Sequence, residues 1–167
     1  MQVQFKLIIL LVFFAMGSQP LCAQLVDLEV EGEWETSVLS SEVLEAGKNY
    51  YTTLTSATDQ ILIDLLANQN NNSNIDVRIE VHREDQNWIP DLGLYIRRTG
   101  TGSGNGNAFG TMEGGLEFQE VSNVPTFFFF SKKKRRDVPV QLEIRNISVL
   151  HPVGVFTTQI VFTMTDL

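Results

Sequence analysis

Apolar and polar residues alternate one by one along most of this chain. Val26, Leu28 and Val30 alternate with Asp27, Glu29 and Glu31. Ile61, Ile63 and Leu65 flank Asp64, and Ile75, Val77, Ile79 and Val81 alternate with Asp76, Arg78, Glu80 and His82. The same order recurs at Leu94 and Ile96, at Val138, Val140, Leu142 and Ile144, and at Phe156, Thr158, Ile160, Phe162 and Met164. A period of two puts one face of a strand on a core and the other in water. Weaker strands are expected over residues 50–55, 116–121 and 126–130, and only residues 40–45 suit a helical turn. Short strands separated by turn residues, with no helical segment, predict an all-β fold. We expect an immunoglobulin-like antiparallel β-sandwich of about 7–9 strands, favoured over a barrel because the connections are uneven in length. No linker or internal repeat divides the chain, so residues 24–167 read as one domain.

The first residues follow a different rule. Lys6 precedes an unbroken apolar run from Leu7 to Ala15; Gly17, Ser18 and Pro20 interrupt it, and Leu21-Cys22-Ala23 ends on a small residue. That order is the order of a cleaved secretory signal peptide, residues 1–23. The run falls short of the roughly 20 apolar residues that a membrane-spanning helix requires. Bulky Leu21 before Cys22 argues against a lipidated cysteine. The expected destination is export, to the periplasm, the cell surface or the extracellular space. Cys22 is the single cysteine, so the processed chain has none and forms no disulfide. A chain of this length buries roughly 70% of its unfolded surface, which supports a core without covalent staples. The net charge is −8, and loss of Lys6 makes it more negative. Such a field repels nucleic acid and anionic membranes.

Few residues suggest chemistry. Residues 99–107 are rich in glycine but lack the lysine and helix start of a phosphate loop, and a weakly ordered loop is expected there. His82 and His151 have no second ligand at metal-binding spacing, and both read as solvated. No Gly-x-Ser-x-Gly elbow occurs, and Asp64 reads as a carboxylate satisfied within the fold. The chain is read as a non-enzyme with no cofactor. Asn71-Asn72-Ser73 and Asn146-Ile147-Ser148 match the glycosylation triplet. Lys132, Lys133, Lys134, Arg135 and Arg136 form a basic run expected at the tip of a hairpin. They are either a solvated turn that discourages edge pairing or a polyanion contact, for instance with an acidic glycan.

The C-terminal segment carries a family resemblance. Pro152-Val153-Gly154-Val155-Phe156 leads into a threonine-rich alternation, with Gly154 fourteenth from the end and Ile160, Phe162 and Met164 eighth, sixth and fourth. This resembles the last strand of chaperone–usher pilins, especially spore coat U-like pilins. Asp166 stands where those proteins usually carry a penultimate tyrosine, and the disulfide most of them contain has no counterpart here. The resemblance implies an exported structural or adhesive subunit of a fimbria-like surface assembly. It implies a groove beside Ile160, Phe162 and Met164, filled first by a periplasmic chaperone and then by a strand of a related subunit. Val26, Leu28 and Val30 would be the donor strand in such self-assembly. The alternative is a stand-alone secreted binding module for carbohydrate or another surface ligand, working through Trp88, Tyr95 and the loops.

Overall fold

The computed structural model describes residues 2–9, 26–39, 53–67, 76–104, 111–132, 134–148 and 151–167. Twelve strands and no helix occur among them. They are β1 (Gln2–Ile9), β2 (Val26–Glu31), β3 (Trp34–Leu39), β4 (Leu54–Thr55), β5 (Ile61–Ala67) and β6 (Asp76–Asp85), then β7 (Gly93–Arg98), β8 (Met112–Glu113), β9 (Gln119–Glu120), β10 (Thr126–Lys132), β11 (Arg135–Arg145) and β12 (Val155–Asp166). They form two sheets. The first runs β3-β1-β12-β6-β10-β8; the second runs β2-β5-β11-β7-β9, with β4 also pairing β11. Every pair is antiparallel except β1 with β12, which is parallel.

The alternation sorts residues as the period requires. Along β6, Val77, Ile79 and Val81 are buried while Asp76, Arg78, Glu80 and His82 are half-buried. Ile61, Ile63 and Leu65 of β5 and Val138, Val140, Leu142 and Ile144 of β11 face the same core from the second sheet, and Phe156, Ile160 and Phe162 of β12 face it from the first. One core therefore joins both sheets. Its aromatic centre comes from the phenylalanine run of β10. The pairing with β6 slips between Phe127 and Phe129, and a bulge puts two successive side chains where regular pleating would bury one. Phe128 and Phe129 are both fully buried, edge to face with centroids 5.2 Å apart. Phe127 stays outside beneath Arg78.

No two consecutive strands pair with each other among the described residues. This corrects the expected hairpin around the basic run. β10 pairs β6 and β8 in the first sheet, and β11 pairs β4, β5 and β7 in the second. The chain thus passes from one sheet to the other between Lys132 and Arg135, because β10 and β11 each offer an apolar face to the core between the sheets. β3 is a strand beyond those expected, since Trp34, Thr36 and Val38 make a short inward face with a polar member. Residues 40–45 and 68–74 lie outside the described residues.

Particular backbone devices fix the crossings. The chain passes from β2 to β3 through Gly32 and Glu33. Gly32 has φ +132°, and a Cβ there would collide with the Gln60 carbonyl. The register of β11 against β5 shifts between Arg135 and Val138. Asp137 sits in this irregularity at φ 53°, and its N–H donates to Asp64 Oδ1 at 2.7 Å. Asp64 is therefore satisfied by backbone, as its position in an apolar strand suggested.

Gly32→Ala strains both φ and the contact with Gln60, and we expect it to cost about 1–3 kcal/mol in denaturant unfolding. The neighbouring Glu33→Ala should cost under about 0.5 kcal/mol.

Candidate functional site

The C-terminal strand lies inside its sheet. β6 flanks one side, in register from Thr158 opposite Asp85 to Asp166 opposite Val77. The other side is taken by β1, running parallel from Gln4 opposite Val155 to Ile9 opposite Ile160. β1 in turn carries β3 on its far side, from Gln2 opposite Leu39 to Leu7 opposite Trp34. β3 has no other strand partner among the described residues.

The phase of this pairing is informative. Val3 stands opposite Val38, Phe5 opposite Thr36 and Phe156, Leu7 opposite Trp34 and Thr158, and Ile9 opposite Ile160. Val38, Phe156, Thr158 and Ile160 are buried, and Trp34 packs against the core. The apolar positions of β1 thus share the register of core-facing positions on both neighbours. Lys6 falls in the other phase, opposite Glu35 and Thr157. The signal that could have revealed β1 is the alternation of Val3, Phe5, Leu7 and Ile9 with Gln2, Gln4 and Lys6. It was obscured because the same residues open the expected leader.

Of the residues implied by the pilin resemblance, Ile160 and Phe162 are buried in the core and Met164 packs against it. Val26, Leu28 and Val30 belong to β2, which pairs β5 of the same chain from Val26 opposite Ala67 to Glu31 opposite Leu62. Leu28 is buried and Val30 packs on the core. The strand expected to be a donor is here an edge strand of its own second sheet.

The basic run divides. Lys132, Lys134 and Arg136 are exposed, and Lys132 Nζ lies 4.0 Å from Asp76. Arg135 is buried, so it presents no charge at the surface. Lys133 lies outside the described residues.

The described part of the glycine-rich stretch, residues 99–104, is anchored to the second sheet, and residues 105–107 of the expected weakly ordered loop lie outside the described residues. Ser103 and Arg136 exchange N–H···O bonds of 2.7 and 2.9 Å, and Thr99 donates to Thr58 and Pro139 carbonyls. Arg98, 3% exposed, reaches across the base of the stretch. Its guanidinium donates to the carbonyls of Gly100, Met112 and Gly114, and burial together with the nearby Arg135 charge lowers its pKa. Arg98 ties residues on both sides of the segment to β7.

An arginine–aromatic patch covers the outer face of the second sheet. Arg145 lies 3.9 Å over Tyr95, Arg97 lies 4.5 Å over Phe118, and Arg97 donates twice to Gln141 Oε1. Trp88 donates its indole N–H to Leu92 and lies beneath Arg83. Tyr95 and Trp88, the two rings suited to carbohydrate, are half-buried and stacked on guanidinium groups of this chain. His82 is half-buried 3.9 Å from Glu84, and His151 Nδ1 accepts the Ser148 N–H. Neither is freely solvated. No group of three metal-ligating side chains occurs among the described residues.

No protein-family model, curated protein or solved structure matches the chain. The strand position between β3 and β12 is the feature with the clearest chemistry, that of backbone pairing.

Amide exchange along residues 155–160 should be slow while β1 is retained, and Phe5→Lys should accelerate it selectively, leaving Val138 to Leu142 unchanged. Arg98→Met removes three charge-assisted bonds and leaves three part-buried carbonyls without that donor. We expect it to destabilise the fold by about 2–4 kcal/mol in thermal or denaturant unfolding.

Proposed function

We propose that this protein is an exported structural or adhesive subunit of a surface assembly. In this reading the two sheets are an immunoglobulin-like sandwich with one strand position filled from outside the processed chain. The observation that supports it is that β1, which begins the segment read as a secretory leader, occupies the place between β3 and β12. Cleavage after Ala23 would remove β1. Residues 155–160 of β12 and the whole of β3 would then lose a ladder partner. A row of unpaired N–H and C=O groups beside a hydrophobic core is a template for another strand. Strand addition draws affinity from main-chain hydrogen bonds and specificity from alternate side chains. The pilin-like C-terminal segment points to the same strand, since the groove implied by that resemblance lies beside Ile160 and Phe162. A periplasmic chaperone and related subunits are the partner classes the reading brings. Lys132, Lys134 and Arg136 remain as a surface contact for an acidic glycan.

Expression of the full chain in an exporting host tests this. Mass spectrometry should find the chain starting at Gln24. Surface fractions, left unheated in SDS, should hold the chain in high-mass species that release it on boiling. Recovery of all of it as a free, stable monomer would overturn the reading.

A further inference from the structure

Three properties decide which partner the strand position takes: the direction of β1, its phase, and the short reach of chain between the cut and β2. Resting on the reading above, we infer that the chain is an acceptor only. It receives one extended segment from a different protein, running parallel to β12 with apolar residues at alternate positions, and neither its processed N-terminus nor β2 is free to be given.

The occupant seen here runs parallel to β12 and continues the sheet to β3. A strand in that direction places its N-terminal end near Val155 and its C-terminal end toward Ile160. Its phase is fixed on both sides. The positions opposite Phe156 and Thr158 are also those opposite Thr36 and Trp34, and a slip of one residue would turn every side chain to the other face. After cleavage at Ala23, only Gln24 and Leu25 precede β2. Two residues cannot span the ladder from Val155 to Ile160, since a chain extends at most about 3.3–3.6 Å per residue. β2 is not a free substitute. Leu28 is buried, β2 pairs β5 through six successive residues from Val26 to Glu31, and only Gly32 and Glu33 link it to β3, the far wall of the position. Donating β2 to a neighbour would dismantle the wall that the chain needs to accept a strand.

The partner is thus a second kind of chain, and the product is a one-to-one junction. Copies of this protein alone do not join into a polymer by exchange of their N-terminal strand.

The test starts from the folded full chain with a specific protease site introduced within residues 10–25 and Cys22→Ser. After cutting, excess labelled peptide with the sequence of residues 2–9 is added, in parallel with a peptide whose apolar and polar positions are exchanged. The inference expects one in-phase peptide per chain by native mass spectrometry, with the exchanged peptide at least about tenfold weaker because its apolar residues face the wrong way. With a spin label on Asp166→Cys, the label should lie closer to the peptide's C-terminal end than to its N-terminal end. Once peptide is washed out, the chain should remain unpolymerised. An antiparallel order of distances overturns the inference, as do SDS-resistant ladders of the chain by itself; ladders would leave the subunit reading standing. A chain that stays monomeric, loses no stability on release of residues 2–9 and takes up no peptide has closed β3 directly onto β12, and then both readings fall.

Discussion

Everything in the first sheet depends on β12 having a strand on each side. Its inward residues, Phe156, Thr158, Ile160 and Phe162, are buried between the sheets, so its backbone runs where water is scarce. Buried N–H and C=O groups without partners cost about 1–3 kcal/mol apiece. β6 meets that demand on one side for nearly the full length of the strand. On the other side, among the described residues, the demand is met by β1, paired from Val155 to Ile160. β3 inherits the same dependence, because β1 is its one strand partner among the described residues. One eight-residue strand therefore holds two others in place, and it is the strand that the leader reading would take away.

The core was legible in the sequence and the wiring was not. Period-two alternation marked β2, β5, β6, β7, β11 and β12, because each has one face in the core and one toward water. The all-β class followed, and so did the backbone role of Asp64. Alternation has no information about which strands are neighbours. The basic run invited a hairpin because its flanking strands are close in sequence, yet β10 and β11 lie in opposite sheets. Charges at a sheet-to-sheet crossing and charges at a hairpin tip look alike in one dimension. The burial of Arg135 separates them only in three. β8 was beyond reach for another reason: at two residues it is too short to show a period, while of the strand expected over residues 116–121 only Gln119–Glu120 forms β9. The candidate site was half legible. The C-terminal strand was marked by its own alternation, while the alternation of residues 2–9 was hidden beneath the apolar run that begins at Leu7.

Because consecutive strands do not pair among the described residues, local contacts give the chain little guidance, and these ladders form only after long segments have been brought together. Such topologies fold slowly, since loop-closure entropy precedes the pairing that offsets it. The polar and glycine devices of this fold sit where that difficulty is greatest. Gly32 lets the chain leave the second sheet within two residues. The Asp64 carboxylate holds Asp137 in a left-handed conformation where β11 slips its register. Arg98 gathers three carbonyls from either side of the glycine-rich stretch. None of these is chemistry in search of a substrate. Each satisfies backbone groups at a corner that regular pairing cannot reach.

The overlap of leader and strand at residues 2–9 has a physical logic under the proposed reading. An export signal requires positive charge followed by apolar bulk, and neither requirement favours alternation. A strand position between β3 and β12 requires alternation and has no use for an uninterrupted apolar run. In the sequence the alternation of residues 2–7 gives way to the apolar run that begins at Leu7. Val3, Phe5, Leu7 and Ile9 hold the phase that the core-facing neighbours demand, and Lys6, the leader's charge, falls in the phase opposite Glu35. A sequence shaped by export alone would satisfy that register only by accident. Under the proposed reading, β1 resembles the segment for which the position is built. The pattern of residues 2–9 then describes, in outline, what a partner must present: four apolar side chains, every second residue, on a strand that runs with β12.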